Sequence, residues 1–152
     1  MLRFTKRADY GLMAIHYIAV QEGLEPVSAK RIAEQFHIPA ELLAKILQRL
    51  AKRGLIVSQN GPKGGYVLAQ RPTQISVGDV IRALEGPVRI VSCMEESSDC
   101  PQLSHCSLRR PVQKLQAAMT QMLDGMSLAE LTSDDVPEML SITGVKESDR
   151  WR

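Results

Sequence analysis

The sequence predicts a mainly α-helical fold with a small β-hairpin wing, that is, a winged helix-turn-helix followed by a long C-terminal helix. Three helical patterns follow one another over residues 5–53, two β-rich runs flank a turn at 60–65, and a heptad repeat begins at Leu108. With 152 residues, of which 44% are hydrophobic and 24% charged, the chain has enough apolar material for one core. We therefore expect a folded protein and not a disordered chain.

The first two helices are predicted by apolar spacing and by their ends. Residues 5–22 have the pattern of an amphipathic helix, which Gly23 ends. The side chains expected on its inner face are Leu12, Ile15, His16, Ala19 and Val20. Ser28 is expected to cap a second, shorter helix from Ala29 to Phe36.

A third helix is expected to begin near Pro39 and to run to about Arg53, where Gly54 ends it. Its predicted buried stripe consists of Leu42, Leu43, Ile46, Leu47 and Leu50. Its predicted solvent face consists of Glu41, Lys45, Gln48 and Lys52, flanked by Arg49 and Arg53. A polar helix face of this kind is typical of a helix that enters the major groove of DNA.

The wing is predicted from residues 55–59 and 66–69, two β-rich runs on either side of a segment rich in glycine, asparagine and proline. In a winged helix the hairpin lies along the DNA backbone while the third helix reads the bases. We therefore expect Glu41 to accept from cytosine, Lys45 to donate to guanine, and Lys63 to meet phosphates. The full set of expected DNA contacts is Ala40, Glu41, Lys45, Gln48, Arg49, Lys52, Arg53, Gln59 and Lys63.

Charge is distributed unevenly along the chain, although its formal net charge is only +2. Residues 1–75 hold 11 Lys and Arg against 5 Asp and Glu, a balance of +6, whereas residues 76–152 hold 8 against 12, a balance of −4. A basic first half indicates a polyanionic partner. Only two Phe, three Tyr and one Trp are present, which argues against a single-strand binder that stacks bases on aromatic rings.

All three cysteines lie within 14 positions, at Cys93, Cys100 and Cys106, in a polar stretch without periodicity. An odd number of cysteines without a secretion signal argues against a disulfide framework, and the polarity argues against core packing. Thiolates suit zinc or an iron–sulfur cluster, and the spacing is wider than the tight pairs of structural zinc sites. The fourth ligand is open. The candidates are Asp9, which could come from a partner subunit, His105, the loop carboxylates Glu95, Glu96 and Asp99, and, least expected, His16.

The C-terminal helix is predicted from apolar residues that alternate at spacings of four and three, with Pro111 in its first turn. This seam consists of Leu108, Val112, Leu115, Met119 and Met122, and Met126 continues the repeat. Such a stripe packs against the same helix of a second chain or against the chain's own core. We expect the first arrangement.

Several segments of the chain resemble the Rrf-two family of bacterial winged-helix regulators, and in particular its iron–sulfur members IscR, NsrR, RirA and the SUF-system regulators. The resemblance spans residues 1–145 and is carried by segments 8–12, 32–34, 47–55, 61–68 and 75–81 together with the three-cysteine loop. It implies a homodimer formed through the long helix, a palindromic operator in double-stranded DNA, and a [2Fe–2S] or [4Fe–4S] cluster on Cys93, Cys100 and Cys106. The chain departs from the IscR pattern at Arg109, where that pattern has histidine, and matches the NsrR-like pattern at Asp9.

These observations predict a cytoplasmic transcriptional regulator, expected to act as a repressor, that senses iron, cluster supply, or oxidative or nitrosative stress. The alternative is a winged-helix regulator without a cluster, controlled by a protein partner or a small molecule. An enzyme is not expected, because the chain lacks a Cys-x-x-Cys pair, a glycine-rich phosphate loop and a nucleophile motif. No membrane partner is expected either, because no apolar run approaches the roughly 20 residues of a membrane span.

The predicted domains follow the same division. Residues 1–86 form the winged helix-turn-helix, residues 87–107 the cysteine loop, residues 108–145 the dimerisation helix with a short helix after it, and residues 146–152 a flexible tail.

Overall fold

The computed structural model describes residues 4–21, 25–91, 100–102 and 104–133, and places six α-helices and one two-stranded antiparallel sheet there. The elements, in chain order, are α1 (Lys6–Val20), α2 (Ala29–Phe36), α3 (Ala40–Lys52), β1 (Ile56–Gln59), β2 (Gly65–Leu68), α4 (Val77–Glu85), α5 (Arg109–Gly125) and α6 (Leu128–Thr132). A short 3₁₀ turn precedes α4. The predicted fold class is confirmed.

Local capping explains where several helices begin. The Ser28 hydroxyl accepts the backbone N–H of Arg31 at 3.2 Å and starts α2. Ser76 and Asp79 form a reciprocal capping box at the start of α4. Ser127 begins α6 with the same arrangement. Each of these interactions spans three residues and is therefore local, and the predicted cap at Ser28 is confirmed.

The helix-turn-helix consists of α2, a tight turn and α3. His37 ends α2 in the left-handed conformation, with φ of 52°, and Ile38 then turns inward and is buried. The helices α1, α3 and α4 enclose the core with the base of the hairpin. Its largest fully buried side chains are Ile15, Ile32, Leu43, Ile46, Leu47, Leu50, Ile56, Ile75, Leu84 and Leu128. Leu42, expected in the buried stripe of α3, is only half-buried.

The predicted inner face of α1 is confirmed in part. Ile15 and Ala19 are buried, Leu12 and His16 are half-buried, but Val20 is 52% exposed. The other buried positions are mostly small: Ala8, Gly11, Ala14 and Ile18. A Cβ on Gly11 would collide with the side chain of Leu84, so the small residues allow α1 to approach α4 closely. Periodicity predicts the helix, but its neighbours determine which face is buried.

The hairpin pairs Ile56 with Leu68 and Gln59 with Gly65, and a bridge between Val27 and Tyr66 attaches it to the start of the helix-turn-helix. The bridge has two backbone hydrogen bonds, from Val27 N–H to the Tyr66 carbonyl at 3.0 Å and from Tyr66 N–H to the Val27 carbonyl at 2.8 Å. This bridge sets the position of the wing beside α2 and α3.

Replacing Gly65 by alanine is expected to loosen this attachment. A Cβ at Gly65 would lie 2.6 Å from the carbonyl carbon and oxygen of Val27, and a backbone neighbour cannot turn aside as a side chain can. We expect the free energy of unfolding to fall by about 1–3 kcal/mol, measured by urea denaturation. Asn60→Ala, at an exposed position of the same hairpin, is the control and should change stability by less than about 0.5 kcal/mol. An unchanged stability of Gly65→Ala would contradict this close approach.

The helix α6 belongs to the core, although it follows the long helix in the chain. Leu128 is 1% exposed, and its N–H donates to the Ile75 carbonyl at 2.7 Å. The chain therefore returns to the first half of the protein after α5. This return attaches the C-terminal end of α5 to the region before α4.

Candidate functional site

The solvent face of α3 is polar, as the sequence predicts. Glu41, Lys45, Gln48 and Lys52 are all exposed, and Ala40 lies exposed at the start of the helix. Lys45 and Lys52 form no ion pair with any other residue that the structure describes. The opposite face is buried, which holds the helix in one orientation. These side chains are therefore free to meet an external partner.

Arg49 has a contact that the sequence does not reveal. Its Nη1 donates to the Leu84 carbonyl at 2.7 Å, at the C-terminal end of α4. Arg7 approaches the same carbonyl, with an Nη1–O distance of 3.4 Å. Cations at a helix C-terminus donate hydrogen bonds to its free carbonyl groups and interact favourably with the helix dipole. Arg49 therefore joins α3 to α4, a role beyond the DNA contact that we expect from the sequence.

The wing presents Gln59 at the end of β1 and Lys63 in the following turn, both exposed. Lys63 Nζ lies 2.5 Å from the Glu25 carboxylate, and both side chains remain mostly exposed. An exposed ion pair of this kind is worth at most about 1 kcal/mol, so a phosphate can replace Glu25. The sequence analysis missed Glu25, because no local pattern links it to a residue 38 positions away.

A cationic cavity of about 560 Å³ opens between α3 and α4. It is lined by Arg49, Lys52, Arg53 and Ala83. Lys52 and Arg53, which we expect to contact phosphates, therefore lie together at the C-terminal end of α3. Arg49 and Lys52 lie in the last turn of this helix, at the end opposite to Ala40 and Glu41.

Two of the three cysteines fall in the described part of the chain. Cys100 is half-buried and Cys106 is exposed, and both are free thiols outside the hydrophobic core. Cys93 lies outside the described residues, as do Glu95, Glu96 and Asp99. Free, accessible thiols are the donors that an iron–sulfur cluster requires, so Cys100 and Cys106 fit such a group chemically.

Of the candidate fourth ligands that the structure describes, Asp9 and His105 are exposed and His16 is half-buried. Asp9 lies in the first turn of α1, and His105 lies in the turn before Cys106. Among the described residues of one chain, however, no three histidine, cysteine or acidic side chains come together as a metal site. Asp9 and the two described thiols therefore do not meet within a single chain.

The seam of α5 is not buried by its own chain. Leu108, Leu115 and Met122 are 64%, 52% and 38% exposed, while Val112 and Met119 are half-buried. No residue of α5 is fully buried. The sequence left open whether this seam packs into the chain's own core. At Leu108, Leu115 and Met122, such packing is not observed.

A second stripe of α5 is attached to the rest of the chain. Asp124 accepts from Arg82 of α4 at 2.5 Å, and Arg82 also donates to Asp79 at 2.8 Å. Burial alone would raise the pKa of Asp79, but the hydrogen bonds from Ser76 and Arg82 hold it below its ordinary value. These contacts attach the C-terminal end of α5 to α4.

An apolar cavity of about 480 Å³ lies between α1, α4, α5 and the segment after α4. Phe4, Ile81, Val88, Met119 and Leu123 contribute to its apolar walls. Thr5 and Glu85, joined by a hydrogen bond of 2.7 Å, stand at its polar side.

No helix in the described ranges has both the length and the hydropathy to span a membrane.

Comparison with known proteins identifies the family. Residues 4–134 match the model of the Rrf2 family, which is the Rrf-two family named above. This family is described as an iron-dependent transcriptional regulator. Protein rrf2 of Nitratidesulfovibrio vulgaris is 37% identical over 88% of this chain and 89% of its own length. The transcriptional repressor NsrR of Streptomyces coelicolor is 32% identical over 93% of this chain and 97% of its own length.

Solved structures agree with this assignment. The structure of CymR, the global cysteine regulator of Bacillus subtilis, has a TM-score of 0.72 and 31% identity, covering 90% of this chain and 100% of that chain. A structure of IscR from T. potens has a TM-score of 0.70 and 28% identity, covering 99% of this chain and 97% of that chain. The resemblance seen in the sequence and the prediction of a regulator instead of an enzyme are both confirmed. The chain belongs to the Rrf2 family of DNA-binding transcriptional regulators.

Proposed function

We propose that the chain is a homodimeric repressor that binds a palindromic operator and senses iron, iron–sulfur supply, or oxidative or nitrosative stress through a cluster on Cys93, Cys100 and Cys106. The observation that carries the sensing part is the match to a family described as iron-dependent. The matched range, residues 4–134, contains all three cysteines.

Reading of DNA is assigned to the N-terminal part of α3. Glu41 and Lys45 are four residues apart on the exposed face, so they lie one above the other along the groove. The Glu41 carboxylate accepts from a cytosine amino group, and the Lys45 ammonium donates to guanine. Changing either residue is expected to alter sequence preference as well as affinity. Gln48, one turn further along the same face, meets the groove wall or the backbone.

Phosphate contacts are assigned to the cations at the other end of α3 and on the wing. Lys52 and Arg53 line the cationic cavity, and Lys63 stands exposed at the hairpin turn beside Gln59. These groups neutralise phosphates in any sequence, so they supply affinity and orientation without selectivity. Arg49 contributes by holding α3 against α4 through the Leu84 carbonyl.

Dimerisation is assigned to the exposed seam of α5. Three of its side chains, Leu108, Leu115 and Met122, are apolar and exposed, whereas most other large apolar side chains that the structure describes are buried or half-buried. A second copy of α5 covers such a stripe by packing the same positions against it. Two chains related in this way present two α3 helices to half-sites about 34 Å apart on one face of the DNA.

The sensing site is assigned to the three thiols, with Asp9 of the partner subunit as the preferred fourth ligand. Support for this choice comes from the exposure of Asp9 on α1 and from the separation of Asp9 and the thiols within one chain. His105 ranks second, because it adjoins Cys106 and two adjacent residues rarely point at one small group. A bound cluster supplies one-electron chemistry and reactivity towards oxidants and nitric oxide. The chain's own residues convert its gain or loss into a change of helix placement.

Lysine substitutions test the DNA surface. Lys63→Ala removes a phosphate contact, so it should weaken all DNA sites alike and lower the slope of log affinity against log salt by about one. Lys45→Ala should lose about 1–3 kcal/mol on the operator and less on a site with the paired base changed. Fluorescence anisotropy over a salt series measures both quantities.

Lys114→Ala is the matched control, since Lys114 is an exposed lysine of α5 outside the proposed DNA surface. It should leave affinity and slope unchanged. If Lys45→Ala and Lys63→Ala also leave both unchanged, then α3 and the wing do not touch DNA and the DNA part of the proposal fails.

A second candidate function is a regulator of the same DNA surface without a cluster, controlled by a small molecule. The apolar cavity of about 480 Å³ favours it, because its volume falls within the range of ligand sites. Similarity to CymR, the global cysteine regulator, favours it too. Anaerobic purification separates the two candidates. Brown protein with visible absorption and a Mössbauer signature supports the cluster, and colourless protein that retains operator binding supports the cavity.

A further inference from the structure

Gln116, near the middle of α5, holds the segment that leads into the cysteine loop. Its Nε2 donates to the Val88 carbonyl at 2.5 Å, and its Oε1 accepts the N–H of Ile90 at 2.8 Å. The two backbone groups determine the orientation of the amide, because a carbonyl only accepts and an N–H only donates. Nε2 also donates to Thr120 Oγ1 at 3.2 Å, one turn further along α5.

Among the described residues, residues 87–91 make hydrogen bonds only to this amide. No backbone–backbone hydrogen bond to another described residue involves these five positions, and they belong to no helix or strand. Gln116 itself is half-buried. In the sequence, Cys93 follows Ile90 by three positions. The two hydrogen bonds therefore lie immediately before the first proposed ligand.

The helix that carries Gln116 is anchored elsewhere. Eight residues later, Asp124 accepts from Arg82 of α4, which joins α5 to α4 at this end of the helix. The seam that begins at Leu108 lies on a neighbouring face of the same helix. A displacement of residues 88–90 therefore acts on the helix that we assign to dimerisation, because Gln116 is hydrogen-bonded to both Val88 and Ile90.

We infer that Gln116 is a positioning residue for the cluster: its amide fixes the backbone at residues 88–90, three positions before Cys93 in the sequence, and so joins the chain that enters the cysteine loop to the helix that we assign to dimerisation. The inference rests on the proposed function, because it requires that Cys93 is a ligand. The attachment of residues 88–90 by the Gln116 amide, which we call the clamp, can however be tested without any cluster.

Gln116→Met keeps the length of the side chain and removes all three of its hydrogen bonds, to Val88, Ile90 and Thr120. Gln121→Met is the matched control, the same change at an exposed position of α5 whose side chain makes no hydrogen bond to another described residue. In the cluster-free protein, hydrogen exchange of the Ile90 amide should accelerate about tenfold in Gln116→Met and stay unchanged in the control. In the reconstituted protein, cluster loss to an iron chelator under anaerobic conditions should also accelerate about tenfold.

Thr120→Val provides a second, milder variant that removes only the acceptor that orients the amide. It should accelerate both processes about twofold to threefold. Faster exchange with an unchanged rate of cluster loss would overturn the positioning role, since Gln116 would then hold only the backbone. Unchanged exchange would overturn the clamp. A wild-type protein that takes up no cluster would overturn the proposed function and the positioning role together, and the exchange experiment would still show whether the clamp exists.

Discussion

Replacing Cys100 by alanine is expected to abolish cluster binding while leaving the fold intact. Each ligating thiolate supplies a bond to iron that water replaces poorly. Cys100 is half-buried and lies outside the core, so its truncation removes little packing. After anaerobic reconstitution, the iron and sulfide content of the variant and its visible absorption should fall to background. Cys93→Ala and Cys106→Ala should behave in the same way.

Ser104→Ala, a small polar residue changed in the same loop, is the control and should retain full iron content. Circular dichroism of every variant should match that of the wild type, which separates ligand loss from unfolding. Asp9→Ala is expected to weaken cluster retention more than His105→Ala does. A Cys100→Ala protein with full iron content and an unchanged spectrum would contradict the assignment of the three thiols.

Replacing Leu115 by aspartate is expected to convert the dimer into monomers at low micromolar concentration. Leu115 is 52% exposed on one chain, and the proposed seam places it against its counterpart on a second chain. Leu115→Ala should already cost about 2–5 kcal/mol if the site is well packed. At 1.4 kcal/mol for each tenfold change, this weakens the dimer by about 30-fold to several thousand-fold. A buried, unpaired carboxylate should cost more.

Sedimentation velocity measures this effect, and Gln121→Asp is the control because it places the same charge on an exposed position outside the seam. Operator affinity should fall with Leu115→Asp, since one half-site then binds without the other. A Leu115→Asp protein that still sediments as a dimer would contradict the proposed seam.

Local rules account for most of the architecture. Ser28, Ser76 and Ser127 start helices through contacts that span three residues, and the glycine-rich turn at 60–65 joins two short strands. The polar face of α3 follows from its spacing as well, because every fourth or third residue falls on one side of a helix. For the Ser28 cap, the hairpin and this polar face, the sequence prediction and the structure agree.

Other features of the candidate site have no local signal. Lys63 and Glu25 are 38 positions apart, Arg49 and Leu84 are 35 apart, and Gln116 lies 26 and 28 positions from its backbone partners. Val20, assigned inward from its apolar character, is exposed, because the small residues of α1 face α4 instead. Distant neighbours decide such contacts.

The sequence by itself determined which elements form, where most of them begin and end, and which residue types are available for the proposed DNA and cluster chemistry. Capping, turn formation and apolar periodicity act between residues close in the chain, so they are present before the fold exists. Only the tertiary structure decided which face of α1 is buried, that Arg49 joins α3 to α4, that α6 returns to the core, and that Gln116 holds the entrance to the cysteine loop. These depend on the close packing of elements far apart in the chain, where rotation by one position changes every contact.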